Sequence, residues 1–426
     1  MGVVSFNVPT GVVGTTLDVT GFQDKDGANF NPTVFIFRWS GIVSDVDAAG
    51  AGTISPGVGF AASATDRRCV FGQDENGIGT ASSDRAQRDD CVVGTMTTAG
   101  GIDGLLDIDA LITNGLRVIV DNQFATAVRV HVLGILGHTN AETYQWQCPT
   151  AGTPPFTHDV TGGTFQPDIV FLAGIHSPTA PPTTATSLLQ FFGAAVSSSQ
   201  RGVVYIAQNN GAMVGDSASY GISTECMASG SSGLETQIRA DFTAMLSNGF
   251  QLTFNEITAT AAYFFVLAIK GGSWAVGEGT TQTDTTTDIV VSGLGFEPAG
   301  GVVGSVCRAE STADTTTADA EMSIGLWSAP TVRGAHVVTD DDGADPMIVS
   351  RAVEFDEVYV NLNVSTSAVE GLMDIKSRDS GGATFIMDDA DPSASWFMWI
   401  MGGNSGAGRS SKNIRDHAMG HVLHSS

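Results

Sequence analysis

Lysine is scarce in this chain, and acidic residues far outnumber basic ones. Only four lysines occur among 426 residues, and the 45 aspartates and glutamates give a formal net charge of −26 at pH 7. Nucleic acids and anionic membranes are negatively charged themselves and repel such a surface. The charge balance therefore predicts neither a nucleic-acid partner nor a membrane partner.

Long apolar runs and a leader segment are also missing. No stretch approaches the length of about 18 uninterrupted apolar residues that a membrane-spanning helix needs. The opening residues, MGVVSFNVPTG, lack the basic segment and following apolar segment of a secretory signal. We therefore expect no transmembrane helix and no Sec-type signal peptide.

Cysteine is rare, and its count is odd. The chain has five cysteines: Cys69, Cys91, Cys148, Cys226 and Cys307. They are far apart in sequence, unlike the ligands of a zinc knuckle or the pattern of a disulfide-dense secreted scaffold. The sequence predicts small buried thiols in a protein that folds in a reducing cytoplasm.

Motifs of common catalytic sites are absent. The sequence has no G-x-S-x-G nucleophile elbow, no glycine directly before any lysine as a P-loop requires, and no H-E-x-x-H. It therefore predicts a protein that is not an enzyme and has no organic cofactor.

Glycine, in contrast, is abundant, and one pattern recurs three times. The 52 glycines favour short strands and turns over long helices. Three segments end in an apolar run followed by glycine: ATAVRVHVLGILG (125–137), ATAAYFFVLAIKGG (259–272) and ASWFMWIMGG (394–403). Such spacing over more than a hundred residues indicates an internal repeat.

Further landmarks keep nearly constant spacing in the same order. The segments FNPTVFIFRW, FQPDIVFLAG and FEPAGGVVGS each place a proline before an apolar run, at Pro32, Pro167 and Pro298. A glycine-to-arginine segment follows in each copy and ends at Arg67, Arg201 and Arg333. An aspartate eight residues before a turn glycine comes next, at Asp107, Asp241 and Asp374. The proline, the glycine-to-arginine segment, the aspartate and the closing apolar run recur in the same order in each copy. This order predicts three tandem domains.

Each copy has the alternation typical of β-strands. In FQLTF, apolar residues alternate with polar ones after Asn248-Gly249, a pair that favours tight turns. We expect each copy to end in a three-strand meander whose closing strand is apolar on both faces and therefore covered on both sides.

The predicted fold is all-β, with three tandem β-sandwich (jelly-roll-like) repeats and a short C-terminal tail. The repeats cover residues 1–139, 140–272 and 273–403, and the tail covers residues 404–426.

The recurring arginines and aspartates have two interpretations. They form three equivalent ligand sites, or they serve the shared fold as internal ion pairs or strand-end hydrogen bonds. We favour the structural interpretation, because residues retained in every copy of a repeat usually support the fold.

Acidic clusters occur in two loops. The first contains Asp24 and Asp26, and the second contains Asp340, Asp341, Asp342 and Asp345. Several carboxylates together can bind Ca²⁺, but aspartate also fills solvated turns, which is the interpretation we favour. A glycosidase needs two selected carboxylates, and nothing in this spacing selects a pair.

The tail reverses the charge of the chain. It carries Arg409, Lys412 and Arg415 against one acid, Asp416. In a short helix, His417, His421 and His424 would lie on one face. Two histidines at this spacing can bind Zn²⁺. We favour docking over zinc binding: the tail would bind a partner with an acidic groove, for example another copy of this chain.

Taken together, the proline-led strands, the glycine-to-arginine segments, LDIDALITNGLRV and the closing apolar strands resemble tailed-phage virion proteins with repeated β-sandwich units. The resemblance covers residues 1–403, and copy three departs from it at EPAGG and SRDSGG. It carries over core and turn motifs but no catalytic residues. It implies a structural subunit of a virion (tail, fibre or capsid surface) that is assembled in the host cytoplasm. Its implied partners are other virion proteins and further copies of itself.

The alternative is a glycan-binding adhesion module that contacts host-surface sugars. Such a module presents exposed aromatic rings beside Asp or Asn in a loop. The segment TYQWQCP, with Tyr144 and Trp146, is the candidate.

Overall fold

The computed structural model describes residues 1–230, 234–312, 315–329 and 332–403. Over these residues every regular element is a β-strand, and the paired strands are antiparallel within three seven-stranded and three four-stranded sheets. The prediction of an all-β fold built from sandwiches is confirmed. The C-terminal tail and its three histidines lie outside the described residues.

The first seven-stranded sheet and its four-stranded partner contain mostly residues of the first 139. The strand order in the large sheet is β1 (Gly2–Asn7), β11 (Arg129–Ile135), β3 (Val34–Trp39), β5 (Gly57–Ala61), β6 (Arg67–Asp74), β7 (Ser83–Arg88) and β15 (Thr183–Thr186). The order in the small sheet is β2 (Thr16–Thr20), β10 (Gly115–Asn122), β9 (Ile102–Ile112) and β8 (Val93–Met96).

The second pair of sheets repeats this order. Its large sheet runs β12 (Asn140–Gln147), β22 (Tyr263–Lys270), β14 (Ile169–Ser177), β16 (Leu188–Ser197), β17 (Gln200–Gln208), β18 (Ser217–Ile222) and β26 (Thr317–Ala318). Its small sheet runs β13 (Phe156–Thr161), β21 (Gly249–Glu256), β20 (Thr236–Leu246) and β19 (Met227–Gly230).

The third pair has the same arrangement again. Its large sheet runs β23 (Ser273–Thr280), β33 (Trp396–Gly403), β25 (Gly300–Ser305), β27 (Ala320–Ala329), β28 (Val332–Asp340), β29 (Val349–Glu354) and β4 (Ala48–Ala51). Its small sheet runs β24 (Ile289–Val291), β32 (Gly382–Asp389), β31 (Val369–Asp379) and β30 (Tyr359–Leu362).

The last strand of each large sheet is supplied by a different repeat. Strand β15 comes from the second repeat but pairs with β7, and β26 comes from the third repeat but pairs with β18. Strand β4 comes from the first repeat and pairs with β29 of the third. The three exchanges run in one direction and close on themselves, so the repeats form a ring.

The closing strands β11, β22 and β33 lie inside the large sheets and are buried on both faces, as predicted. In β22, Phe264 and Val266 belong to the core between its own two sheets, whereas Phe265 and Leu267 belong to a central core. The central core takes residues from all three repeats and fills the middle of the ring. Gly271 and Gly272 follow with φ of 92° and 82°, a backbone that glycine adopts without strain.

The expected three-strand meander is wrong. Strands β9 and β10 form a hairpin in the small sheet, but β11 crosses to the large sheet and lies between β1 and β3. The same crossing takes β22 and β33 away from β21 and β32. Alternating apolar residues predict a half-buried strand without specifying which of two facing sheets receives it.

Candidate functional site

The recurring arginines and aspartates meet in three ion pairs. Arg67 binds Asp107, Arg201 binds Asp241 at 3.3 Å, and Arg333 binds Asp374 at 2.6 Å. Each arginine lies at the start of a large-sheet strand, and each aspartate lies in the small sheet. The pairs therefore connect the two layers of each sandwich.

Each of these arginines also donates to a main-chain oxygen in the segment that precedes β8, β19 or β30, the same edge strand of each small sheet. Arg67 donates to the oxygen of Asp90 at 3.3 Å, and Arg201 donates to that of Thr224 at 2.6 Å. Arg333 donates to the oxygen of Asp356. With their donors used inside the fold, the three sites have the geometry of structural joints.

The electrostatics of the three pairs differ. The hydrogen bond to Asp107 raises the pKa of Arg67. Burial raises the pKa of Asp374 to about 6 although Arg333 opposes the shift, and Asp388 and Asp356 add to it. The third pair therefore lies in acidic surroundings.

The three prolines hold equivalent places. Pro32, Pro167 and Pro298 are buried, and each lies directly before the residue that precedes β3, β14 or β25. A proline there starts the strand without removing a hydrogen-bond donor from the sheet interior.

Two arginines that no sequence pattern indicated hold the exchanged strands: Arg85, which is buried, and Arg351, which is half-buried. Arg85 in β7 donates to the main-chain oxygens of Ser187 at 2.8 Å and His176 at 3.1 Å, and also to that of Thr186. Burial lowers its pKa to about 10, so it remains protonated at neutral pH.

Arg351 in β29 has the same role at another junction. Its guanidinium donates to the main-chain oxygens of Gly41 at 2.6 Å and Thr53 at 2.5 Å, on either side of β4. The corresponding position in β18 is Ser219, and the exchanged strand there has only two residues. Arginine thus occurs where the exchanged strand is long, with four residues.

Tyr144 and Trp146 are in a strand and not in a surface loop, which corrects their expected placement. Both belong to β12, where they pair with Val266 and Phe264 of β22. Tyr144 is only 8% exposed, and Trp146 packs edge-on against Phe264 with ring centroids 5.2 Å apart. The Tyr144 ring is buried and offers no open face to a sugar, whereas the Trp146 ring is half-buried.

An open groove lies at the boundary of the second and third repeats and contains two carboxylates. Its lining includes Glu278, Glu310 and Trp396. Glu278 accepts the indole N–H of Trp396 at 2.9 Å, and Glu310 accepts the main-chain N–H of Ser223 at 2.8 Å. Both carboxylates already have structural partners.

The acidic loops are built as turns. The Asp24 carboxylate accepts main-chain N–H groups of Asp26 and Ala28, each at 2.9 Å. In the second loop, Asp342 accepts the main-chain N–H of Ser217, and Asp340 is buried whereas Asp342 and Asp345 are exposed.

A third acidic group joins residues that are remote in sequence. Carboxylate oxygens of Asp47, Glu354 and Asp356 lie within 4.8 Å of one another beside the junction of β4 and β29. Burial raises the pKa of Glu354 to about 8, and Asp47 adds to the shift. No sequence pattern could indicate this group, because strand exchange alone brings Asp47 to the third repeat.

All five cysteines are unpaired and buried, which confirms the prediction of small buried thiols. Cys69 and Cys91 are neighbours despite their separation in sequence, with sulfur atoms 3.3 Å apart. Burial raises the pKa of Cys91 well above its ordinary value, with Cys69 adding to the shift. A thiol of this kind is a poor nucleophile.

Comparison of the chain with protein-family models and with curated proteins gave no match. In the part of the chain that the structure describes, no helix has the length and apolar character needed to cross a membrane.

Proposed function

We propose that this chain is a non-enzymatic structural subunit of a tailed-phage virion, a component of the tail, a fibre or the capsid surface. One observation supports it most: three strand exchanges close the repeats into a ring around a common apolar core. In this proposal, the three repeats of one chain take the place of the three subunits of a trimer. Its partners in this proposal are other virion proteins and further copies of the chain.

The contacts of the recurring charged residues add support. Arg67, Arg201 and Arg333 direct their donors to carboxylates and main-chain oxygens within the fold. Because these contacts connect the two sheets in every repeat, they should make each sandwich rigid. Rigidity suits a particle component, which must hold its shape through assembly.

The experiment is immunogold labelling of native particles. An antibody raised against the recombinant chain is applied to purified infectious virions and viewed by negative-stain microscopy. We expect gold at one fixed position on each particle. The control is the same antibody pre-absorbed with recombinant chain, which should leave particles unlabelled.

A second outcome would contradict the proposal. If purified particles carry no label while the lysate from which they came contains the chain, the protein is not a virion component. Mass spectrometry of the same particles provides an independent reading, since a structural subunit appears in constant ratio to the major capsid protein.

A further inference from the structure

Three buried polar side chains occupy equivalent positions at the ends of three strands. Asp74 ends β6, Gln208 ends β17 and Asp340 ends β28. Asp74 and Gln208 are 0% exposed and Asp340 is 1% exposed. Within the described residues, none of their side-chain oxygen or nitrogen atoms has a hydrogen-bond partner. Buried groups of this kind are rare and costly.

These side chains point toward the middle of the ring. Residues two apart in a strand lie on the same face. Ile206 precedes Gln208 by two residues and Val338 precedes Asp340 by two, and both belong to the central core. Val70, four residues before Asp74, belongs to the same core.

Contacts between neighbouring repeats join the three positions in a circle. Asp74 pairs across strands with Ser83, whose hydroxyl donates to the main-chain oxygen of Gln208 at 3.4 Å. Gln208 pairs with Ser217, whose hydroxyl donates to the main-chain oxygen of Asp340 at 3.0 Å.

The circle closes at the third junction. Asp340 pairs with Val349, whose main-chain N–H donates to the side chain of Asn76 at 2.8 Å, and Asn76 follows Asp74 by two residues. Each position is thus connected to the next around the ring.

Three loops cover this end of the ring, and each binds the next. The Gly77 N–H donates to the Met347 oxygen at 2.9 Å, and the Ala81 N–H donates to the Ala212 oxygen at 2.8 Å. The Gly343 N–H donates to the Gly215 oxygen at 2.7 Å. The loops shield the three side chains from water.

Two buried carboxylates need a counter-charge or protons. The carboxyl groups of Asp74 and Asp340 are not hydrogen-bonded to each other. The two carboxyl groups and the Gln208 amide therefore lie buried without a partner for any of their side-chain polar atoms among the described residues.

The geometry points to a binding site for one Ca²⁺ ion between Asp74, Gln208 and Asp340, on the axis of the ring. Calcium binds carboxylate and amide oxygens at about 2.3–2.6 Å, so opposite ligands are held farther apart than a hydrogen bond allows. Two carboxylates and a neutral amide carry two negative charges, which match one divalent cation. This ion would connect all three repeats, and the inference does not depend on the proposed role in a virion.

The test is native mass spectrometry of the full chain, purified in millimolar Ca²⁺ and then dialysed against calcium-free buffer. We expect one retained Ca²⁺ per chain. The double variant Asp74→Asn/Asp340→Asn should lose it, with affinity at least tenfold weaker. The matched control, Asp47→Asn/Asp356→Asn, alters the exposed acidic group beside β4 and should retain the ion.

A second variant keeps the test decisive if the double variant fails to fold. Gln208→Glu adds a third carboxylate and should tighten Ca²⁺ binding at least tenfold in a competition titration with a chelating dye. The inference is wrong if wild-type protein retains no Ca²⁺. It is also wrong if the control loses the ion while Asp74→Asn/Asp340→Asn keeps it, or if Gln208→Glu leaves the affinity unchanged.

Discussion

Phe60 of the first repeat packs against Phe192 of the second, with ring centroids 6.5 Å apart. Both rings are buried in the core that all three repeats share. This contact shows why the repeats are not independent: each one leaves an apolar face that only its neighbours cover.

Phe60→Ala should lower the free energy of unfolding of the whole chain by about 3–5 kcal/mol, because it opens a cavity in a close-packed core. Chemical denaturation followed by far-UV circular dichroism measures the change. The control is Val290→Ala, at a side chain that is 63% exposed, where we expect a change within about 0.5 kcal/mol. Equal effects from the two substitutions would place Phe60 outside the shared core.

Arg85→Met should destabilise the chain by about 2 kcal/mol or more, since it leaves the main-chain oxygens of the buried residues Ser187 and His176 without this donor. The control, Arg117→Met, removes an exposed ion pair with Asp18 and should lower the stability much less. Thermal denaturation compares the two variants. A larger loss for Arg117→Met would argue against the junction role of Arg85.

Glu357→Gln should weaken the dependence of stability on pH. Burial raises the pKa of Glu357 from 4.5 to about 9, with Asp388 and Asp374 adding to the shift. The folded chain therefore binds a proton that the unfolded chain releases at lower pH. The stabilisation is complete below about pH 4.5 and is lost as pH rises through 9, at roughly 1.4 kcal/mol per pH unit between them.

Denaturant midpoints at intervals from pH 6 to pH 9 measure this difference between wild type and Glu357→Gln. Asp284→Asn is the control, because hydrogen bonds from Thr286 and Thr287 hold the pKa of Asp284 at about 2, far below the range studied. It should keep the wild-type slope. If Glu357→Gln also keeps that slope, Glu357 is ionised in the folded chain.

Removal of residues 404–426 should leave the ring folded but reduce incorporation into particles. The last strand ends at Gly403, so every described sheet stays complete. The removed segment carries Arg409, Lys412 and Arg415, which suit an acidic surface on a neighbouring subunit. Salt should weaken this binding, because exposed charges are screened. Normal occupancy of the truncated chain at every salt concentration would show that the tail is passive.

Strong local patterns made much of the fold predictable. The apolar closing strands β11, β22 and β33 are buried on both faces because no polar residue interrupts either face for long. The spacing of Arg67 and Asp107, repeated twice more, favoured a structural role as an internal ion pair or a strand-end hydrogen bond, and the structure contains an ion pair in each copy.

The strand exchange left no trace that sequence reasoning could use. Strands β4, β15 and β26 consist of the short segments AAGA, TTAT and TA, which have no apolar alternation. Their pairing partners are in other repeats, so no local spacing relates them. For the same reason Asp340 could be assigned only to a solvated loop, although it lies beside residues of two other repeats.

Scanning calorimetry of the full chain, together with the isolated second repeat, tests the closed ring most directly. We predict a single cooperative transition for residues 1–426, because the central core and the exchanged strands couple all three repeats. Residues 140–272 alone should give no transition, since they lose β26 and expose Phe265, Leu267 and Ile269 to water. Separate transitions in the full chain, with the isolated repeat melting at the same temperature as its counterpart there, would contradict the ring.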